Sequence, residues 1–105
     1  MELSEENFEQ EVLKSNMPVV VDYWAKWCNP CKMVAPMFER LSRQIDSVKF
    51  AKVNVDESTQ LAHVNGVLGI PCIIVYNKGE EVERIVGFQT EEQLKQKLTK
   101  ALQSL

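Results

Sequence analysis

The sequence predicts an α/β fold in which helices cover both faces of a central mixed β-sheet. Strand-like and helix-like patterns alternate along most of the 105 residues, as in strands joined by crossover helices. One early strand is apolar at consecutive positions, which is typical of a sheet covered on both sides. Two late strands flank a short turn and should pair antiparallel, which makes the sheet mixed. No linker or repeat divides the chain, so we expect a single domain over residues 1–105.

The first predicted helix covers residues 4–14, and the pattern leaves open a short strand at residues 1–3 before it. Ser4 is a suitable N-cap, and acidic residues fill the first turn after it. Leu3 and Phe8 have the spacing of a hydrophobic staple, which supports a helix start at this point.

The central strand is predicted at residues 19–24, a β-branched and aromatic run after Pro18 that only Asp22 interrupts. A helix follows the Cys-X-X-Cys segment. Its apolar face consists of residues at three- and four-residue steps, namely Val34, Met37, Phe38, Leu41 and Ile45. Pro36 lies inside this pattern and should kink the helix.

The second half of the chain alternates in the same way and ends in a helix. Its predicted elements are a strand at residues 48–55, a short helix at 58–64 that ends near Asn65-Gly66, and an antiparallel hairpin with strands at 72–76 and 81–86 around a turn at 77–80. Thr90 and Gln93 form a capping-box signature for the last helix. The apolar stripe of this helix consists of Leu94, Leu98, Ala101, Leu102 and Leu105.

Charge and hydropathy exclude two broad classes of protein. The 12 Lys and Arg residues against 15 Asp and Glu residues give a net charge of −3, without the basic patch that nucleic-acid binding requires. The longest apolar stretch, residues 70–76, is far shorter than the roughly 20 residues of a membrane-spanning helix. The acidic N-terminal residues show no targeting segment, so we expect a cytoplasmic protein.

Cysteine spacing is the strongest chemical signal in the sequence. Cys28 and Cys31 are separated by two residues and lie between a predicted strand and a predicted helix, where free backbone N–H groups favour an anion. Pro30 suits the first helical turn. The spacing favours redox chemistry over half of a zinc site or two incidental thiols. Zinc is disfavoured because only Cys72 and His63, which we expect to be a surface residue, remain as soft ligands.

Two further residues near the cysteines are candidates for a functional role. Asp22 in a valine-rich strand is costly to bury, and desolvation would raise its pKa towards neutrality, where it could exchange protons. The alternative is an acid at a strand end, or one that forms an ion pair with a lysine such as Lys52. Trp27, beside Cys28, is interpreted as part of a docking surface rather than of the core.

Several separated segments give the chain a resemblance to the thioredoxin family. Residues 21–33, with the core Trp27-Cys28-Asn29-Pro30-Cys31-Lys32, resemble the active-site signature of that family. The remaining matches, in the order and spacing of the family, are residues 35–36, 50–56, 66–71, 77–80 and 86–87. The resemblance covers nearly the whole chain and implies the thioredoxin fold.

The resemblance implies a general protein-disulfide reductase. Cys28 would attack a client disulfide, Cys31 would resolve the mixed disulfide, and Asp22, tuned by Lys52, would accept the proton of Cys31. Ile70-Pro71 would be the cis-proline step of the family. The client groove would be lined by Trp27, Gly69, Ile70, Pro71 and Gly87.

The implied partners are disulfide-containing client proteins and a separate thioredoxin reductase. The chain has no Gly-rich dinucleotide fingerprint, so its electrons must come from that partner. We expect a monomer without a bound cofactor or metal, in which the only redox group is the Cys28–Cys31 pair. No contact with nucleic acid or membrane is expected.

Two positions depart from the pattern of the family, and two other functions remain open. Asn29 replaces the usual glycine, where its amide would either donate a hydrogen bond to the Cys28 thiolate or cap the helix. Cys72 replaces a common threonine, either as a small buried residue or as a third thiol near the active pair. An oxidase or isomerase has the same fold, and a scaffold subunit would carry the dithiol incidentally.

Overall fold

The computed structural model describes residues 1–105 and contains five strands and three α-helices. The strands are β1 (Glu2–Leu3), β2 (Val19–Trp24), β3 (Lys49–Asn54), β4 (Cys72–Asn77) and β5 (Glu80–Val86). The α-helices are α1 (Asn29–Gln44), α2 (Thr59–Val64) and α3 (Glu91–Gln103). The strands form one sheet in the spatial order β1-β3-β2-β4-β5. Parallel pairs join β1 to β3 and β3 to β2, and antiparallel pairs join β2 to β4 and β4 to β5. The predicted mixed sheet is confirmed.

Strand β2 lies at the centre of the sheet, and both of its faces are buried. Val19, Val21 and Tyr23 pack in a core on one face, together with residues of the N-terminal segment and of α2. Val20 lies on the other face, in a core that α1 and α3 cover. Because successive side chains of a strand point to opposite faces, a strand covered on both sides must be apolar at nearly every position. This requirement explains the valine run, and it makes the buried Asp22 an exception.

The N-terminal segment differs from its prediction. The structure has turns from Ser4 followed by a π-helix at Glu9–Leu13, instead of an α-helix over residues 4–14. The start of the segment agrees with the prediction of Ser4 as an N-cap, because the Glu6 N–H donates to Ser4 Oγ, the Ser4 N–H donates to Asn7 Oδ1 and the Phe8 N–H donates to Ser4 O. Phe8 and Val12 are buried against the sheet, as the apolar spacing requires. The difference lies in the later turns, where a bond such as Lys14 N–H to Glu9 O spans five residues instead of four.

Local signals in the second half of the chain are confirmed. Lys78 and Gly79 both have positive φ angles, 54° and 82°, which is the backbone of a two-residue hairpin turn between β4 and β5. Thr90 Oγ1 accepts the Gln93 N–H while the Gln93 side chain accepts the Thr90 N–H, so the capping box of α3 is complete.

Pro36 lies inside α1 without ending it. None of the helices combines the length and the apolar composition that crossing a membrane requires.

Candidate active site

Cys28 and Cys31 form a disulfide at the point where β2 has ended and α1 begins. Their Cα atoms are 5.2 Å apart, and both residues are buried. Cys28 is the N-cap of α1, and its Sγ accepts a hydrogen bond from the Cys31 N–H at 3.2 Å. An anion at this position is stabilised both by that N–H and by the positive end of the helix dipole. The site therefore favours a Cys28 thiolate when the disulfide is reduced.

The two residues between the cysteines are exposed and lie in the first turn of α1. Pro30 needs no hydrogen-bond acceptor there, because N–H groups in the first helical turn have none. The Asn29 side chain makes no hydrogen bond, and the cap is supplied by the Cys28 sulfur instead. The predicted capping role of Asn29 is therefore wrong, because Asn29 lies one position after the N-cap. Donation to a Cys28 thiolate stays a prediction, since Cys28 is part of the disulfide in this structure.

Asp22 is buried to 1% exposure, and neither of its carboxylate oxygens has a hydrogen-bond partner. Desolvation raises the pKa of Asp22 to about 7, the charge of Lys52 opposes this shift, and the charge of Glu2 adds to it. Asp22 lies on the same face of the sheet as Val20, the face that α1 covers. A carboxyl group with this pKa can gain or lose a proton near neutral pH beside the helix that begins with the cysteines.

Lys52 lies directly opposite Asp22 in the register of β2 and β3. Its ammonium group does not bind the carboxylate, because it lies over the Trp24 ring, 4.8 Å from the ring centroid. The alternative prediction, in which an ion pair with Lys52 satisfies the buried Asp22 carboxylate, is therefore wrong. The alternative of a strand end is also wrong, since Asp22 is an interior residue of β2. Lys52 acts on Asp22 through its field rather than by contact.

Trp27 lies outside the core, and 68% of its surface is exposed. Its Nε1 donates a hydrogen bond of 2.9 Å to Asp56 Oδ2, which orients the ring. Sequence reasoning missed Asp56. A signal existed, because Trp27 follows β2 and Asp56 follows β3, and the carboxyl ends of neighbouring parallel strands lie at the same edge of a sheet.

Residues 65–71 connect α2 to β4, and we call them the Pro71 loop. This loop lies next to the disulfide. The Ile70-Pro71 peptide bond is cis, and Ile70 packs against the buried cluster that contains Cys28 and Cys31. The Gly87 N–H donates to the Pro71 carbonyl at 2.8 Å, and a Cβ at Gly69 would contact the Val86 side chain at 3.6 Å. The structure thus brings four of the five predicted groove residues, Gly69, Ile70, Pro71 and Gly87, close to one another.

A hydrogen-bond network that the sequence did not reveal holds the start of the Pro71 loop. The Arg84 guanidinium, on β5, donates to the carbonyls of Asn65 and Gly66 at 2.7 and 2.9 Å, and it also binds both carboxylate oxygens of Glu81. The Tyr76 hydroxyl donates to Asn65 Oδ1 at 3.0 Å. These partners are distant in sequence, and no motif connects them.

The third cysteine and the single histidine lie apart from this chemistry. Cys72 is a free, buried thiol at the start of β4, and burial raises its pKa. It packs in the core on the face opposite to α1 and not in the cluster of the disulfide, which agrees with the expectation of a small buried residue. His63 is exposed on α2, as expected. No three His, Cys, Asp or Glu side chains are grouped so that they could hold a metal ion.

A redox-active pair at a helix N-terminus, next to a cis-proline loop and above a buried acid, defines a thiol-disulfide oxidoreductase. The thioredoxin family model matches residues 1–100. The chain is 40% identical to thioredoxin 1 of Nostoc sp. over 102 residues, which cover 96% of this chain and 95% of that protein. It is 39% identical over 104 residues to thioredoxin of Alicyclobacillus acidocaldarius, with 98% of each chain covered. The chain belongs to the thioredoxin family, and its activity is protein-disulfide reduction.

Proposed function

We propose that Cys28 and Cys31 carry out this reduction by two thiol-disulfide exchanges. The Cys28 thiolate attacks one sulfur of a client disulfide, so that a Cys28–client bond forms while the client S–S bond breaks and one client thiol leaves. The Cys31 thiolate then attacks the Cys28 sulfur and releases the second client thiol. Two electrons and two protons pass to the client, and the Cys28–Cys31 disulfide remains. The position of the Cys28 sulfur at the N-cap of α1 is the observation that carries this assignment.

We further propose that Asp22 accepts the proton that Cys31 must lose before it attacks. A carboxyl group with a pKa of about 7 is suited to this transfer, because both of its protonation states are populated near neutral pH. The Lys52 ammonium lies near enough to lower the pKa of Asp22 but is held by the Trp24 ring. In this assignment Asp22 is the base, and Lys52 is a positioning residue that tunes it.

The proposed client groove lies between Trp27 and the Pro71 loop. Gly69, Ile70 and Gly87 offer a partly exposed surface of apolar and backbone groups beside the disulfide, and the buried Pro71 joins this surface to β4. Such a surface suits an extended client segment of variable sequence. Trp27 adds a rigid, exposed aromatic ring that Asp56 orients. A groove of this kind recognises shape and main chain, so it admits many clients.

The proposed reaction requires a partner but no bound cofactor, because the two sulfurs carry the electrons. A separate thioredoxin reductase would return the disulfide to the dithiol. We propose that the chain acts as a single thioredoxin domain over residues 1–105, as a monomer, in the cytoplasm. A reducing compartment suits an odd number of cysteines of which only two pair.

The proposal is tested by reduction of insulin disulfides with a defined reductase. Cys28→Ser should lower the rate by roughly 10³-fold or more, because it removes the nucleophile. Cys31→Ser should instead stop at a covalent complex with the client, visible as a mixed disulfide by mass spectrometry. Cys72→Ser makes the same change outside the pair and should retain the activity. Full activity of Cys28→Ser in this assay would overturn the proposal, and a wild-type protein that does not reduce insulin would favour a scaffold role.

A further inference from the structure

Arg84 lies on β5, outside the groove, and all of its guanidinium nitrogens are engaged. Two nitrogens donate to Glu81, and donors of the same group bind the Asn65 and Gly66 carbonyls at 2.7 and 2.9 Å. The Glu81 carboxylate fixes the orientation of the planar guanidinium, and the hydrogen bonds lower the pKa of Glu81. Arg84 therefore presents fixed donors to the backbone rather than a mobile charge to solvent.

The two carbonyls that Arg84 binds belong to the point where α2 ends and the Pro71 loop begins. Backbone bonds from Asn65, Gly66 and Val67 already satisfy the last carbonyls of α2, those of Leu61, His63 and Ala62. Gly66 turns the chain here with a φ of 67°. Arg84 adds to this local turn a long-range attachment, because it binds the next carbonyls across the sheet edge.

The opposite end of the same loop is also held from β5. The Gly87 N–H, directly after β5, donates to the Pro71 carbonyl at 2.8 Å. Between these two attachments the loop projects, since Leu68 is 99% exposed, and it turns Ile70 back towards Cys28 and Cys31. Loss of the Arg84 bonds would weaken the first attachment, which the Tyr76 bond to Asn65 and the packing of Val67 against the core still support, without touching the sulfurs.

We propose that Arg84 is a positioning residue for client binding, which holds the Asn65 and Gly66 carbonyls so that Gly69 and Ile70 are presented to the client in one conformation. This inference rests on the proposed client groove. Arg84 touches neither the client nor the reacting sulfurs. Its loss should therefore weaken protein-client binding, because the loop must be ordered when the client binds, and should leave the exchange chemistry intact.

The test compares Arg84→Gln with Arg40→Gln in the reduction of insulin and of a small disulfide, hydroxyethyl disulfide. Arg40 is a matched control, because it also forms a bidentate ion pair, with Glu91, but joins α1 to α3 instead of holding the loop. We expect Arg84→Gln to raise KM for insulin about tenfold, or about 1.4 kcal/mol, at unchanged kcat. Its rate with the small disulfide should equal that of Arg40→Gln. Arg84→Lys, which keeps the charge and one donor nitrogen, should have a KM between those of wild type and Arg84→Gln.

The remaining outcomes separate this inference from the proposed function. If wild type does not reduce insulin, the proposed function fails. If wild type is active but Arg84→Gln and Arg40→Gln have equal KM values for insulin, the positioning role alone is overturned. A loss by Arg84→Gln that is equal for insulin and the small disulfide also overturns it, because it reports general damage to the fold. Should Arg84→Gln not fold, the KM of Arg84→Lys decides by the same comparison.

Discussion

The two segments that meet at the disulfide, residues 28–31 and the Pro71 loop, are held differently. The first is held by bonds within a few residues, in which the Cys28 N–H donates to Ala25 O, the Lys32 N–H donates to Cys28 O, and Cys28 Sγ accepts the Cys31 N–H. The second also begins with local backbone bonds to α2, but it is attached in addition to β4 and β5, by Tyr76, Arg84 and Gly87. Residues 28–31 should therefore tolerate distant substitutions that displace the Pro71 loop.

The difference teaches that the reactive sulfurs and the surface proposed to bind clients depend on separate parts of the chain. The cysteine site is built where a strand ends and a helix starts. The Pro71 loop has attachments to the hairpin of β4 and β5 as well. Substitutions in the hairpin can therefore alter client binding while the chemistry of the sulfurs is preserved.

The largest effect on stability is expected when Asp22, the buried acid near the cysteines, is substituted. Its pKa is raised in the folded protein, from 3.8 to about 7, so the folded state favours the protonated acid. The stability that this adds is complete below about pH 4 and is lost as the pH rises towards 7 and above. Asp22→Asn should therefore raise the free energy of unfolding at pH 8 by roughly 4 kcal/mol relative to wild type, and hardly at pH 4.

Urea unfolding of wild type and Asp22→Asn between pH 4 and pH 8 measures this effect. Asp46→Asn is the matched control, because it makes the same change of side chain at an exposed position outside the sheet. Parallel stability curves for wild type and Asp22→Asn would show that Asp22 titrates normally in the folded protein. The same variant should accumulate mixed disulfide during insulin reduction, because it lacks the proposed proton acceptor.

An intermediate effect on stability is expected when Tyr76, which binds the start of the Pro71 loop, is substituted. Its single hydroxyl hydrogen is donated to Asn65 Oδ1, so Tyr23 must donate in the 2.6 Å bond between the two hydroxyls. Tyr76→Phe removes both bonds and should lower the free energy of unfolding by about 2 kcal/mol. Amide hydrogen exchange of residues 65–70 should become faster, while exchange at residues 28–32 should not change.

Tyr23→Phe is the matched control for this prediction, because it removes the bond between the tyrosines and leaves the bond from Tyr76 to Asn65. It should cost less stability than Tyr76→Phe and should not accelerate exchange in the Pro71 loop. Equal exchange profiles for the two variants would contradict the view that Tyr76 holds this loop.

The smallest effect on stability is expected for a substitution at the N-terminal end of α2. Ser58, its N-cap, makes no side-chain capping bond, and the Leu61 N–H instead donates to Glu5 Oε2 at 3.0 Å. Glu5→Gln keeps an acceptor but removes the charge, so it should cost about 0.5 kcal/mol of stability, an effect that salt should reduce. Urea unfolding at low and high salt checks this. Glu6→Gln, an exposed neighbour, should have no such effect, and identical results for both variants would exclude a cap by Glu5.

Sequence patterns predicted the strands, the hairpin and the last helix closely, and failed at the hydrogen-bond type of the N-terminal segment. The Thr90 capping box and the Lys78-Gly79 turn involve bonds between residues close in sequence, so they are visible in the pattern. The N-terminal segment has an equally clear apolar spacing and the predicted Ser4 cap, but its later turns form a π-helix, with bonds that span five residues. Apolar spacing predicts which face is buried better than it predicts the hydrogen-bond type.

The functional residues also divide into those that local spacing reveals and those whose partners are distant in sequence. Cys28 and Cys31 were found from spacing, and their pairing at a helix start follows from adjacent residues. The partners of Asp56 and Arg84 were not found, because nothing within their own segments identifies the group that they bind. The roles assigned to Asp22, Lys52 and the groove remain predictions for the experiments above.

By itself the sequence determined the α/β class, the disulfide pair and the family, because these depend on periodicity and on bonds that span a few residues. The tertiary structure alone decided that Asp22 has no ionic partner and a raised pKa, that Lys52 lies over Trp24, and that Arg84 holds the Pro71 loop. Burial and long-range hydrogen bonds arise only when distant segments pack. A residue whose role comes from its surroundings therefore cannot be recognised until those surroundings are known.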